Sequence, residues 1–261
     1  MLAAGRAEAY HEGEERLVDS TAHTLRAREA RIGIWDIEYG PVAFATVGTD
    51  TAPWIASFFV DSVVVNGHAK VRLLRTEPLT LSVMAAAYHT QLPASGPLVA
   101  GGGSLLLVPI SVFASSDLTP SASLHLGITY ADATLGGSPP ESSPLRESTA
   151  IAASALQLHA IGEYRVSRVV AVVVRLHGQA YATPMTFDNS AIDERGKRSQ
   201  FVGAIEPVNR TNVAAVAGVA VSGSHFNVRV GLGYGALFLP SMGIKLPIET
   251  VIPELDAYVR F

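Results

Sequence analysis

The final segment, 251–261, alternates strictly and stops on an aromatic residue. Leu255, Ala257, Val259 and Phe261 share one face, and Glu254, Asp256, Tyr258 and Arg260 share the other. Successive side chains of a strand point to opposite sides, so this strand must have one apolar surface and one polar, charged surface. The preceding segment repeats the pattern. Val228, Val230, Leu232, Tyr234 and Ala236 oppose Asn227, Arg229, Gly231, Gly233 and Gly235, and the glycine row predicts a crowded interior. Before it, 211–222 groups Val213, Ala215, Ala217, Val219 and Val221, with a tight turn at 222–225.

Alternation over roughly ten residues, cut by turn signals, is what a strand with lipid on one side and a wet lumen on the other requires. Read upstream, the pattern recurs at 149–162, 167–180, 121–134, 103–114, 67–76 and 79–91, with poorer phase at 30–39 and 42–49. Pro109 falls inside one strand, and its missing donor predicts a bulge there. Around Tyr39-Gly40-Pro41 the phase breaks: Ile32 and Ile34 lie on one face, but Trp35, Ile37 and Tyr39 on the other. Joins near 40, 77, 117, 164 and 223 are short. Those at 50–66, 92–102, 135–148, 181–210 and 238–250 are long, so the two kinds alternate along the chain.

Outer-membrane barrels show this alternation, with short turns on the periplasmic side, and bacterial ones carry an even number of strands. The reading is therefore all-β: an antiparallel up-and-down transmembrane β-barrel of twelve strands, or ten as fallback, with both termini in the periplasm. The twelfth strand is expected within 13–26. Residues 53–65, PWIASFFVDSVVV, are too apolar for an ordinary loop and suit a lumen-inserted segment, a short interfacial helix or an extra strand; 181–210 reads as a solvated loop. Residues 1–12 are expected to be a tail or signal-peptide remnant, Ala7-Glu8-Ala9 having the small-x-small form, and 13–261 one barrel domain.

Composition excludes several classes. With 19 basic and 23 acidic residues the net charge is -4, which leaves no basic field for nucleic acid. The absence of cysteine removes disulfides, thiolate zinc sites and cysteine nucleophiles, and no run of about 18 apolar residues exists to form a helical span.

The closing LDAYVRF resembles the C-terminal sorting strand of Gram-negative outer-membrane proteins, and RIGIWDIEYGPVAFATVGTD resembles a strand, Tyr-Gly turn, strand unit of such barrels of unassigned function. The resemblance spans the chain from about residue 24. It implies that the strand bearing Leu255, Ala257, Val259 and Phe261 is read by the barrel assembly machinery, with outer-membrane lipid as the surroundings. It implies no catalytic residue.

If the phases hold, the lumen is lined by Lys70, Arg72, His125, His159, Arg175, His177, Arg229, Glu254, Asp256 and Arg260, beside His68 and Gln157. Imidazole can serve as base or metal ligand, but a wet interior needs polar residues regardless. No catalytic or metal motif is present, and no cofactor or metal is expected. The leading functional reading is a narrow, porin-like channel for small solutes or a plugged scaffold. A lipid-modifying enzyme with a lumen histidine as base, and a soluble lipocalin-like barrel, remain alternatives. Two aromatic girdles are expected, Tyr39, Tyr164, Phe226 and Phe261 at one end and Tyr88, Tyr130, Tyr181 and Phe238 at the other.

Overall fold

Alternating strands with no second sheet to cover them can pair every backbone group by closing on themselves, and this chain does so. The computed structural model describes residues 21–57, 62–92, 102–137, 146–192, 197–205, 212–223, 225–239 and 241–261. Its elements are β1 (Ala30–Gly33), β2 (Asp36–Val42), β3 (Ala45–Asp50), α1 (Thr51–Ser57), β4 (Val64–Arg75), β5 (Leu79–Leu92), β6 (Gly103–Thr119) and β7 (Ala122–Gly137). There follow β8 (Arg146–Arg165), β9 (Val170–Ala182), β10 (Met185–Ile192), β11 (Arg198–Ile205), β12 (Val213–Ser222), β13 (Phe226–Leu239) and β14 (Ile244–Arg260). Twelve of them form a closed antiparallel ring: β1 to β9 in order, then β12, β13 and β14, which returns to β1.

The count matches the expectation, but the partition differs. No strand lies in 21–26, and 13–20 fall outside the described residues. The twelfth strand comes instead from the 30–39 segment, which is two strands reversing at Ile34-Trp35. The phase break was the turn itself. Reversal there keeps Arg31 and Glu38 inward while Ile32 and Ile37 face out. Tyr39-Gly40-Pro41 lies inside β2, and the chain turns two residues later at Ala43-Phe44.

Other expectations also move. Pro109 makes no bulge: Ala85 pairs Ile110 and Tyr88 pairs Leu107 in one unbroken register. The 181–210 segment is not a plain loop. β10 continues β9 along the same edge of β8, Thr186 facing Ala152 beyond the Ala155–Ala182 pair, and β11 pairs with β10. The wall is thus prolonged on one side by a hairpin. Of residues 53–65, the described part is helix α1 followed by the start of β4. β14 begins at Ile244, so the join after β13 is a short turn rather than a long loop.

Phe261 marks one end, here the lower, where the turns after β2, β4, β6, β8 and β12 are short. The upper end carries α1 and the β10–β11 hairpin. One sector of wall is low. β1 pairs β14 only from Arg31 to Gly33, and β3 pairs β4 only from Ala45 to Gly48. A four-residue strand tilted as in such barrels rises about 10 Å, against an apolar band about 25 Å tall.

Candidate functional site in the lumen

The two faces of the wall differ in chemistry. Outward positions along β13 and β14 are Phe226, Val228, Val230, Leu232, Tyr234, Val251, Leu255, Val259 and Phe261, all exposed. The same holds for Leu126, Ile128 and Tyr130 on β7 and for Val172, Val174 and Leu176 on β9. Between them, pointing inward and buried, are Arg31, Glu38, Lys70, Ser111, His125, Thr129, Gln157, Asn227, Arg229, Asp256 and Arg260. A wall that is greasy outside and charged inside inverts the arrangement of a water-soluble barrel. The chain is a β-barrel of the outer-membrane type. Among the described residues its interior holds a cavity toward each end.

The lower cavity, about 800 Å³, is lined by Arg26, Arg72, Arg75 and Arg165 with Glu77 and Asp117. Above it residues 21–25 enter the lumen, with Thr21 and Ala22 at 0% exposure and Leu25 at 1%. Residues 22–25 are each tied to the wall. Ala22 N–H donates to Ser115 Oγ at 2.8 Å, Leu25 N–H to Thr46 Oγ1 at 2.9 Å, and Thr24 Oγ1 to the Ala43 carbonyl at 2.9 Å. Lys70 Nζ reaches the His23 carbonyl at 3.3 Å. This segment is a plug. Ser115 also meets His125 Nδ1 at 2.8 Å, so the Ser–His pair that a hydrolase would use is buried and engaged with plug backbone.

Next comes a belt of charge. On one side Arg31 pairs with Asp36 and lies 3.3 Å from Glu38, whose other oxygen is 3.1 Å from His68 Nε2. His68 Nδ1 is 3.5 Å from Asp50, and Asp50 accepts a hydrogen bond from Tyr88. On the other side Arg229 donates to Glu254 at 2.6 Å and Asp256 at 2.9 Å, and Arg175 reaches Glu254 at 3.0 Å. Buried charges persist only when paired and hydrogen-bonded, and here acid and base alternate across the belt. Arg260, the ladder partner of Arg31, lies 3.5 Å from Glu29, with its guanidinium 5.5 Å from the Tyr258 ring. Among the described residues no group of three or more His, Asp or Glu is arranged to hold a metal.

The belt itself forms the floor of a cavity of about 520 Å³, so that Glu38, Asp50, His68, Arg175, Arg229 and Glu254 are among its lining residues; the size is within the range of small-molecule sites. Its wall carries four rings in sequence: Phe113 to His159 with centroids 5.4 Å apart, His159 to His177 at 6.1 Å, and His177 to Phe238 at 5.8 Å and nearly parallel. Gly127 makes this possible. It faces His159 across the β7–β8 ladder, and a Cβ there would sit 1.7 Å from His159 Nε2. Met84, Ala214, Val216 and Met242 complete the apolar lining. The turn after β13 folds inward over this space. Gly243, at φ +63°, lies so close to the opposite wall that a Cβ would meet Ala131 at 2.7 Å and Thr129 at 3.0 Å. The two cavities share no lining residue.

The sequence-derived lumen residues divide among these layers. Lys70 and His125 contact the plug, and Arg72 faces the lower cavity. Arg175, Arg229, Glu254 and Asp256 form half the belt, and His159 and His177 line the upper cavity. Leu255, Ala257, Val259 and Phe261 occupy the outward row of β14. Tyr88 and Phe238, expected in the outer girdle, instead point inward at 4% and 8% exposure. The plug, Arg31, Glu38 and Asp50 were not foreseen. Arg31 and Glu38 flank the Ile34-Trp35 reversal that obscures their phase, and Asp50 falls at the start of the 50–66 stretch read as a join although it ends β3; the plug has no periodicity to reveal it.

No known protein family and no curated protein matches this chain. In fold it is similar to the Pseudomonas putida toluene transporter TodX, with 11% identity over 95% of this chain and 71% of that one and a TM-score of 0.46. It is also similar to the monoaromatic hydrocarbon channel CymD, with 11% identity over 97% and 93% and a TM-score of 0.40. A third likeness is to the Escherichia coli outer membrane protease OmpT, with 8% identity over 90% and 91% and a TM-score of 0.37.

Proposed function

We propose that this barrel binds and passes small apolar solutes in its upper cavity and is closed to ions by its N-terminal plug. The supporting observation is the ring-lined cavity of about 520 Å³, which shares no lining residue with the lower, arginine-rich one. The aromatic and aliphatic surface of Phe113, Phe238, Val216 and Met242 favours an apolar guest by removing its surface from water, and the charge belt beneath it is internally paired. Charged lumen residues, on this reading, seal the floor rather than select ions. In this orientation the lower end faces the periplasm, residues 13–261 act as one unit, and the outward row Leu255, Ala257, Val259 and Phe261 is the strand that the assembly machinery reads.

Saturable binding tests it. Purified protein in micelles is expected to bind naphthalene, and Met242→Asp, which puts a carboxylate into the lining beside Ala86, Leu107 and Ala131, to weaken binding at least about tenfold, as an uncompensated polar group in an apolar site should. Equal binding by both proteins, or none by either, refutes the proposal.

A further inference from the structure

The two cavities differ in their balance of charge. In the floor of the upper one Arg175 and Arg229 stand against Glu254 and Asp256, charge for charge. The lower one sets the four guanidinium groups of Arg26, Arg72, Arg75 and Arg165 against the two carboxylates of Glu77 and Asp117. Counting Glu163 as well, 3.3 Å from Arg165 Nε, the cations still outnumber the acids, and nearby Glu29 is matched by Arg260. Positive charge is thus in excess here, in a chain whose net charge is -4.

The backbone is shaped to gather these cations. Positions 72 and 75 are an odd number of residues apart, so in a regular strand they would point to opposite sides of the wall. The register of β4 against β5 shifts between them: Arg72 pairs Ser82, but Arg75 pairs Thr80. Both partners are buried on the lumen side, and the extra residue leaves Leu73 and Leu74 together on the outer face. A bulge re-aims side chains in this way, and here it turns both arginines into one cavity. Arg165, at the end of β8, is already held in place, donating to the Pro120 carbonyl at 3.0 Å and to Ser123 Oγ at 2.9 Å. Arg26 is supplied by the chain leaving the plug, its N–H fixed by Glu29 Oε2 at 2.8 Å. Thr80 adds a hydroxyl to the lining beside Arg75.

We infer that the lower cavity is a binding site for a small phosphate-bearing anion, taken up from the water at the lower mouth. Guanidinium forks engage phosphate oxygens two at a time. A phosphate monoester carries about 1.5–2 negative charges on one group, which offsets the excess of the lining, and a cleft lined by one sign of charge between walls of low dielectric concentrates such an ion. The volume of about 800 Å³ suits a small molecule. Leu73 and Leu74 stand on the lipid side of the arginine-bearing strand end, so the ligand comes from water and not from a lipid headgroup. The site is independent of the apolar reading of the upper cavity.

Equilibrium dialysis of radiolabelled glycerol 1-phosphate against the full-length protein in phosphatidylcholine nanodiscs, at low ionic strength, tests this. Saturable binding is expected, weakened at least about tenfold by Arg72→Gln with Arg75→Gln, as loss of charge-assisted hydrogen bonds should. Arg28→Gln with Arg168→Gln removes the same charge at the same end from outside the lining and should change the affinity less than about twofold. If the first double variant does not fold, Arg75→Gln alone, at the exposed rim, is expected to weaken binding about threefold, half of the logarithmic effect. Absence of binding, or equal losses in the two double variants, overturns the site. Succinate competing as well as glycerol 1-phosphate overturns the assignment to phosphate. Loss of binding when phosphatidic acid is added to the nanodiscs overturns the aqueous source and gives the site to a lipid headgroup.

Discussion

An arginine walked along the outward face of β13 should measure where this wall sits in a bilayer. Phe226, Val228, Val230 and Leu232 are all exposed, at 49%, 36%, 56% and 62%. A strand rises about 3.3 Å per residue and tilts about 40°, so each outward position lies about 5 Å higher than the last. Phe226 begins at the lower rim, which puts Val230 about 10 Å up a band about 25 Å tall, close to its middle. Arginine at the midplane of such barrels costs about 2–4 kcal/mol and near the interface about 0–1 kcal/mol. Phe226→Arg should therefore have little effect, Val228→Arg an intermediate one, and Val230→Arg and Leu232→Arg the largest. Reversible urea unfolding in lipid vesicles, followed by tryptophan fluorescence, reads these differences. A cost that does not vary with depth, or variants that become water-soluble and more stable, would refute the membrane reading of this face.

Other expectations follow from the lumen. Arg229→Met leaves Asp256 and Glu254 buried beside a lost partner and should destabilise the barrel by about 3–5 kcal/mol, measured by the same unfolding; a loss under about 1 kcal/mol would mean that water reaches the belt. Gly127→Ala must displace the His159 ring, so it should weaken naphthalene binding, while His159→Ala in the same chain should make the methyl group tolerable. Equal effects of Gly127→Ala with and without His159 would count against the ring ladder. A protein lacking residues 1–25 loses the bonds to Ser115, Thr46 and Ala43 and should admit a water-soluble fluorescence quencher to a Phe113→Trp reporter that the full chain protects.

Alternation was enough to place most of the wall, because lipid outside and charge inside impose a period of two that turns do not blur. It gave the inward rank of Lys70, His125, Arg175, Arg229 and Asp256 directly. Where the register changed within a few residues, the same signal misled. Ile34-Trp35 lacks the glycine or asparagine that marks most two-residue reversals, so a hairpin read as a faulty strand. Tyr88 and Phe238 looked like girdle residues because an aromatic near a strand end fits either side of a wall. The plug could not have been read at all, since residues 22–25 are held by separate hydrogen bonds to Ser115, Lys70, Ala43 and Thr46 rather than by any pattern of their own.

The central claim, a membrane barrel with an apolar cavity above a closed floor, is tested most directly by ion conductance of the purified full-length protein in a planar bilayer. The account expects insertion with no steady current, because residues 21–25 and the paired charge belt separate the two cavities. A sustained ohmic current from the intact chain would contradict it.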